Sequence, residues 1–118
     1  MNALKIYALK NCDTCKKALA WLSGKNAEFD VHDVRADGLT DADVRPIVDS
    51  LGWEAAVNRR STTWRNLADA DKADLSNDKA VDLIVQNPTL MKRPVYVSGD
   101  TTLVGFNATV QDELETLI

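Results

Sequence analysis

The chain reads as an α/β domain with a helical insertion, on three observations. A strand pattern at Leu4–Leu9 runs straight into Cys12-Asp13-Thr14-Cys15, helical patterns fill the stretch from about residue 40 to 90, and strand alternation returns at Pro94 before one last helical pattern. With 118 residues and 45 % hydrophobic content the chain can build a core without metal or disulfide staples, so a single domain over residues 1–118 is expected.

Each element has a local reason. Leu4–Leu9 (LKIYAL) is the first strand, and Cys15, Ala18, Leu19 and Leu22 then fall at helical spacing within Thr14–Leu22, with Ser23-Gly24 ending the helix. Glu28–Val34 (EFDVHDV) alternates as a half-buried strand does, and a crossover of this length makes the two strands parallel. After the Asp37-Gly38 turn, Thr40-Asp41-Ala42-Asp43 has the form of a capping box before Val44, Ile47, Val48 and Leu51. Pro46 conflicts with that start, because it would remove an internal hydrogen bond, whereas a helix beginning at Asp43 moves Pro46 into the tolerant first turn. Gly52 stops this helix.

Trp53–Val57 and Thr63–Leu67 are short helical pieces around an irregular Asn58–Thr62, Ser76 caps a helix reaching about Gln86, and Pro88 closes the helical middle. Pro94–Ser98 and Thr101–Val104 form an antiparallel pair about Gly99-Asp100. Thr109-Val110-Gln111-Asp112 offers a capping box for a last helix carrying Val110, Leu114 and Leu117. The order β-α-β, helices, β-β-α is that of the thioredoxin/glutaredoxin-like fold, with the insertion at about 40–90.

Composition narrows the function. There is no charged start followed by an apolar run and no apolar stretch near 18 residues, so neither a signal peptide nor a membrane partner is expected, and the compartment expected is the cytoplasm. A formal net charge of −4 argues against direct nucleic-acid binding, which needs a basic face. In a reducing cytosol two cysteines point to catalysis or redox sensing rather than to a structural disulfide.

The C-x-x-C sits where a helix begins. Cys12 would lie at the positive end of the helix dipole, where a thiolate is favoured, and is the candidate nucleophile. Cys15, one turn on, is either a resolving thiol or a core residue on the inner helix face. Zinc would need four ligands, and with two cysteines and one histidine, His32, no metal site is expected. His32 falls in a strand pattern away from Cys12 and reads as structural, and Trp21, Trp53 and Trp64 as packing residues. Arg59, Arg60 and Arg65 gather in the middle of the chain and Arg93 precedes Pro94; guanidinium groups converging on a thiolate would lower its pKa and hold an anionic substrate. Pro94 is either an edge-strand residue or, as the thioredoxin-like order suggests, the second residue of a cis peptide facing the nucleophile.

Spaced blocks in one order carry a resemblance: Ile6-Tyr7, Lys10-Asn11-Cys12-Asp13-Thr14, Lys16-Lys17-Ala18, Leu51-Gly52-Trp53-Glu54, Thr62-Thr63-Trp64-Arg65, Asn87-Pro88, Lys92-Arg93-Pro94 and Val104-Gly105-Phe106. Over almost its whole length the chain resembles the arsenate reductase (ArsC) family. It looks closest to the YffB branch, regarded as glutathione-dependent thiol reductases, and is more distantly similar to Spx-type transcription regulators. The resemblance implies that Cys12 is the nucleophile, that Arg93 faces it, and that Arg60, or else Arg59, is the arginine supplied by the insertion. Arsenate-reducing members carry a third arginine where this chain has Gly105-Phe106, which leaves an oxyanion less well compensated and makes room for a bulkier thiol.

The expected function is therefore thiol-disulfide oxidoreduction with glutathione as co-substrate and no bound cofactor. Cys12, Cys15 and Arg93 are the expected catalytic residues; Lys10, Asn11, Arg59, Arg60, Pro94, Gly105 and Phe106 are the expected binding residues, Lys10 also helping to lower the Cys12 pKa. The partners expected are glutathione or another thiol or disulfide substrate, and the chain is expected to be a monomer. The alternatives are arsenate reduction with the same nucleophile, or an Spx-like redox-sensing regulator, for which RNA polymerase would be the partner.

Overall fold

The computed structural model describes residues 4–118, which fall into two compact units: residues 4–34 with 93–118, and residues 35–92. No helix among the described residues is long and apolar enough to cross a membrane.

The first unit is built on a four-stranded sheet in the order β2-β1-β3-β4, with β1 at Lys5–Ala8, β2 at Asp30–Asp33, β3 at Val95–Ser98 and β4 at Thr101–Val104. Helix α1, Asp13–Gly24, joins β1 to a parallel β2, as a crossover must, and β1 pairs with β3 antiparallel with Ile6 opposite Tyr96. Ser98 and Thr101 pair across a two-residue turn led by Gly99 at φ +56°, a left-handed conformation that glycine adopts without strain.

One core cluster lies on one sheet face: Leu4, just ahead of β1, and Ile6 and Ala8 on it alternate toward that face, Tyr96 joins them from β3, and Cys15, Ala18 and Leu22 of α1 pack onto them with Val110 and Leu114, while Tyr7 and Val95 are buried on the other face. Burying a side chain such as Ile6 or Leu22 contributes about 1.5–3 kcal/mol. Strand β2 departs from the expected half-buried alternation: it is an edge strand, Asp30 is exposed, and Val31 is 49 % exposed. The last helix, α7 (Ala108–Glu115), starts from Asn107 rather than from the predicted Thr109 box, because the Asn107 side-chain oxygen accepts the Val110 N–H at 2.9 Å. Lys25 and Glu115 form an exposed ion pair at 2.7 Å that ties the end of α1 to α7.

The second unit is helical, with α2 at Asp41–Leu51, α3 at Trp53–Ala56, α4 at Thr62–Arg65, α5 at Asp69–Lys72, α6 at Asn77–Gln86 and a 3-10 turn at Pro88–Leu90. Helix α2 keeps the Thr40 start and carries Pro46 inside it, so the alternative start at Asp43 does not form. The Thr40 N–H donates to the Asp43 carboxylate at 3.0 Å, the Asp43 N–H donates back to the Thr40 hydroxyl at 3.2 Å, and Arg45 grips Asp41 with Nε and Nη2, both at 2.9 Å. These first-turn bonds offset the one that Pro46 cannot make, near the solvent-facing Ala42.

Val44, Ile47 and Val48 of α2 and Ala80, Val81, Leu83 and Ile84 of α6 are the buried faces of the two helices, which pack on each other. Arg45 also reaches Asp78 at 2.8 Å. The unforeseen α5 has no side-chain cap from Ala68; Lys79 Nζ donates to the carbonyl oxygens of Ala70 and Ala73 instead.

Candidate active site

Strand β1 delivers the chain into a tight turn in which the Cys12 N–H donates to the Leu9 carbonyl at 3.1 Å. Cys12 has extended backbone (φ −95°, ψ 120°) and is the N-cap of α1; its carbonyl accepts the first helical bond, from Lys16, at 2.9 Å. Cys15 is thus the third helical residue, where a backbone N–H points back toward an N-cap side chain. The Cys12 sulfur makes no cap hydrogen bond of full geometry in this conformation. The electrostatic influence of that amide on the sulfur nonetheless remains.

The two thiols are driven apart in acidity. Partial burial alone would push the Cys12 pKa up, but the Cys15 N–H, the Cys15 thiol and the Arg93 guanidinium outweigh it and hold Cys12 below the ordinary 9.0. Cys15 is 1 % exposed, and burial together with the neighbouring Cys12 pushes its pKa up to about 11, against the pull of the Leu9 N–H and Arg93. As the pH rises the charge therefore forms on Cys12 first, while Cys15 keeps its proton and directs it toward the Cys12 sulfur.

Alkylation across pH should show this directly: Cys12 is expected to react with a midpoint below 9.0, and Cys15 to stay protected until the pH approaches about 11. Faster reaction at Cys15 would reverse the assignment. The two groups act oppositely on stability. The raised Cys15 pKa contributes stability that is complete below 9.0 and lost as pH rises toward about 11, whereas the lowered Cys12 pKa contributes stability above 9.0 that is lost as pH falls through its folded value.

Arg93 leads into β3 through a cis Arg93–Pro94 peptide bond, as the thioredoxin-like order suggests. Pro94 is buried, and its carbonyl accepts the Gly105 N–H at 2.9 Å. Gly105 has φ +86°, so an arginine placed there would be strained; the ring of Phe106 stands edge-on to Trp21 at 5.8 Å. Cys12, Cys15 and Arg93 thus come together, with Pro94 and Gly105 bonded beside them. The main groups lowering the Cys12 pKa are Cys15 and Arg93, while Lys10 and Asn11 are exposed on the turn before α1, and the Lys10 N–H donates to Asp33 at 3.1 Å. A cleft of about 240 Å³ lined by Lys10, Lys16, Leu19, Val31 and Asp33 reaches Cys15 but not Cys12.

Arg59 and Arg60 belong to the other unit. The Arg60 N–H donates to Asn58 at 3.1 Å and the Arg59 guanidinium lies 5.5 Å from the centre of the Trp53 ring. His32 packs its ring 5.0 Å from that of Tyr7, in keeping with a structural role. None of the three tryptophans is fully buried: Trp21, Trp53 and Trp64 each lie under a cation, from Lys25, Arg59 and Lys72. Sequence reasoning missed Tyr96, which is fully buried in the same core as Cys15. The available signal was its place two residues beyond Pro94, on the same face of the strand.

Known proteins bear on this arrangement. The sequence profile of the ArsC family matches residues 7–114. An uncharacterised protein of Haemophilus influenzae is 44 % identical over 104 residues, covering 88 % of this chain and 91 % of its own length. The solved structure of the YFFB protein superposes with a TM-score of 0.88 at 39 % identity, over 93 % of this chain and 96 % of that one. The global transcriptional regulator Spx 1 of Lactococcus lactis is 28 % identical over 98 % of this chain and 88 % of its own. A cysteine at a helix mouth, faced by an arginine that precedes a cis-proline, is thus found in a sequence that matches its relatives from β1 to α7, and the chain belongs to the ArsC family.

Proposed function

We propose that this ArsC-family protein is a thiol-disulfide oxidoreductase that works with glutathione. The observation that carries the proposal is the half-buried Cys12 at the N-terminus of α1, held toward the thiolate by Cys15 and Arg93. A thiol made more acidic than an ordinary cysteine, beside a guanidinium suited to a carboxylate, is the equipment that disulfide exchange with an anionic thiol needs. The Cys12 thiolate attacks the glutathione sulfur of a mixed disulfide, forming Cys12–glutathione and releasing the other sulfur as a thiolate that takes a proton from water. A second glutathione thiolate attacks the adduct, giving oxidised glutathione and restoring Cys12. Arg93 holds a glutathione carboxylate, and Lys10, Asn11, Pro94, Gly105 and Phe106 line the approach.

Arsenate should be a poor substrate. The position where the resemblance places a third arginine is taken by Gly105, whose φ of +86° disfavours any replacement, and by Phe106, which packs on Trp21. Charge developing on a covalent arsenate adduct would be less well compensated, whereas disulfide exchange makes a smaller demand. The purified protein is expected to reduce a glutathione mixed disulfide much faster than arsenate at matched concentration. Efficient glutathione-dependent arsenate turnover would reverse this ranking.

A second reading, a redox-sensing regulator, is favoured by the likeness to Spx 1 together with the C-x-x-C. A Cys12–Cys15 disulfide would then alter a protein-binding face. The two readings separate by stoichiometry: an enzyme turns over many equivalents of disulfide with excess glutathione, and a switch changes redox state once, in step with its affinity for a partner such as RNA polymerase.

A further inference from the structure

Strand β2 leaves one side of the sheet open. It is outermost in the order β2-β1-β3-β4, and its ladder runs inward: the Asp30 N–H donates to the Leu4 carbonyl and the Val34 N–H to that of Ala8. Backbone direction alternates along a strand, so Val31, out of phase with both, turns its own N–H and carbonyl away from the sheet. The Val31 side chain is 49 % exposed and, in register with Ile6, lies on the face that α1 covers.

The cleft of about 240 Å³ lies under this edge, between β2 and α1. Leu9, Leu19 and Val31 make its lining apolar, and it has room for one leucine- or phenylalanine-sized side chain. The exposed Lys10 and Lys16 border it, and neither forms an ion pair among the described residues. The carboxylate beside them, that of Asp33, already accepts the Lys10 N–H at 3.1 Å.

We infer that this edge docks an extended segment of a partner polypeptide, which adds a strand beside β2, seats one apolar side chain in the cleft and turns an acidic side chain toward Lys10 and Lys16. An outward N–H and carbonyl are matched by another strand, and a pocket beside them selects one of its side chains. Alternate residues of a strand share a face, so the acidic residue lies two positions from the apolar one. A second folded copy is a poorer fit. The four residues of β2 span only about 13 Å, far short of the roughly 1,200 Å² that a stable interface buries. Cys12 and Arg93 do not line the cleft, so the inference stands apart from the glutathione reading.

The test titrates the isotope-labelled full chain with the blocked peptide Thr-Glu-Thr-Leu-Thr-Glu and follows the amide spectrum. Saturable shifts should centre on Leu9, Leu19, Val31 and Asp33, and alanine in place of the peptide's leucine should weaken binding roughly tenfold. Val31→Pro removes the outward N–H at an edge position that tolerates proline; it should cost roughly tenfold while the amides of β1, β3 and β4 keep their shifts. Independently of that variant, Lys16→Glu should weaken binding roughly threefold, and a peptide with lysine for both glutamates should prefer Lys16→Glu to the wild type. Absence of saturable shifts, or binding indifferent to both the leucine and the charge exchange, overturns the inference. So does tighter binding of hexanoate than of the peptide, which would make the cleft a small-molecule site, or self-association through Val31 without peptide, which would make the edge a contact between copies.

Discussion

Cys12→Ser is expected to lose thiol transfer altogether, a fall of at least about a thousandfold, because a serine hydroxyl at this position has no accessible anion to attack a disulfide. Cys15→Ser should keep turnover, with external glutathione resolving the adduct in place of the missing thiol. Its Cys12 should also be less acidic, since the Cys15 thiol is among the groups that lower it. Steady-state reduction of a glutathione mixed disulfide with each variant measures both. Substantial activity in Cys12→Ser would move the nucleophile elsewhere.

Arg93→Ala should weaken glutathione binding by roughly ten- to a hundredfold, the equivalent of one charge-assisted contact of about 1.5–3 kcal/mol. The same change removes a positive charge beside Cys12, so the Cys12 pKa should rise toward 9.0 and the alkylation profile should move to higher pH. Arg93→Lys keeps the charge but not the planar fork, and is expected to restore more of the Cys12 acidity than of the binding. Calorimetric titration with glutathione, paired with alkylation rates, separates the two roles. Unchanged affinity and unchanged acidity in Arg93→Ala would place this arginine outside the site.

Features that depend on neighbours in sequence were legible. The helix mouth at Cys12, the Ser76 cap, the Gly52 stop and the Gly99 turn each rest on one or two residues whose backbone preferences decide the outcome, and all four stand in the structure. Thr40 was legible too, and the conflict raised by Pro46 resolved in its favour because the first-turn bonds of Thr40, Asp43 and Arg45 outweigh one lost backbone bond. The last helix was read from a Thr109 box, whereas Asn107, two residues earlier, makes the cap through its contact to Val110.

What could not be read depends on distant parts of the chain. The exposure of Val31 follows from β2 lying at the sheet edge, which its own alternation does not encode. The short α5 is held by Lys79, from the following helix. Tyr96 acquires its relation to Cys15 only once β3 pairs with β1 and brings the two segments onto one face. The pairing of Cys12 with Arg93 came from the family resemblance, while its electrostatic consequence came from the fold.

The most direct measurement is mass mapping of the protein after titration with oxidised glutathione under denaturing quench at the earliest times. If Cys12 is the nucleophile and glutathione the partner, one glutathione is found on Cys12, none is trapped on the buried Cys15, and excess reduced glutathione removes it. Adduct first on Cys15, or no adduct at either cysteine while a generic alkylating agent still modifies Cys12, would contradict the account.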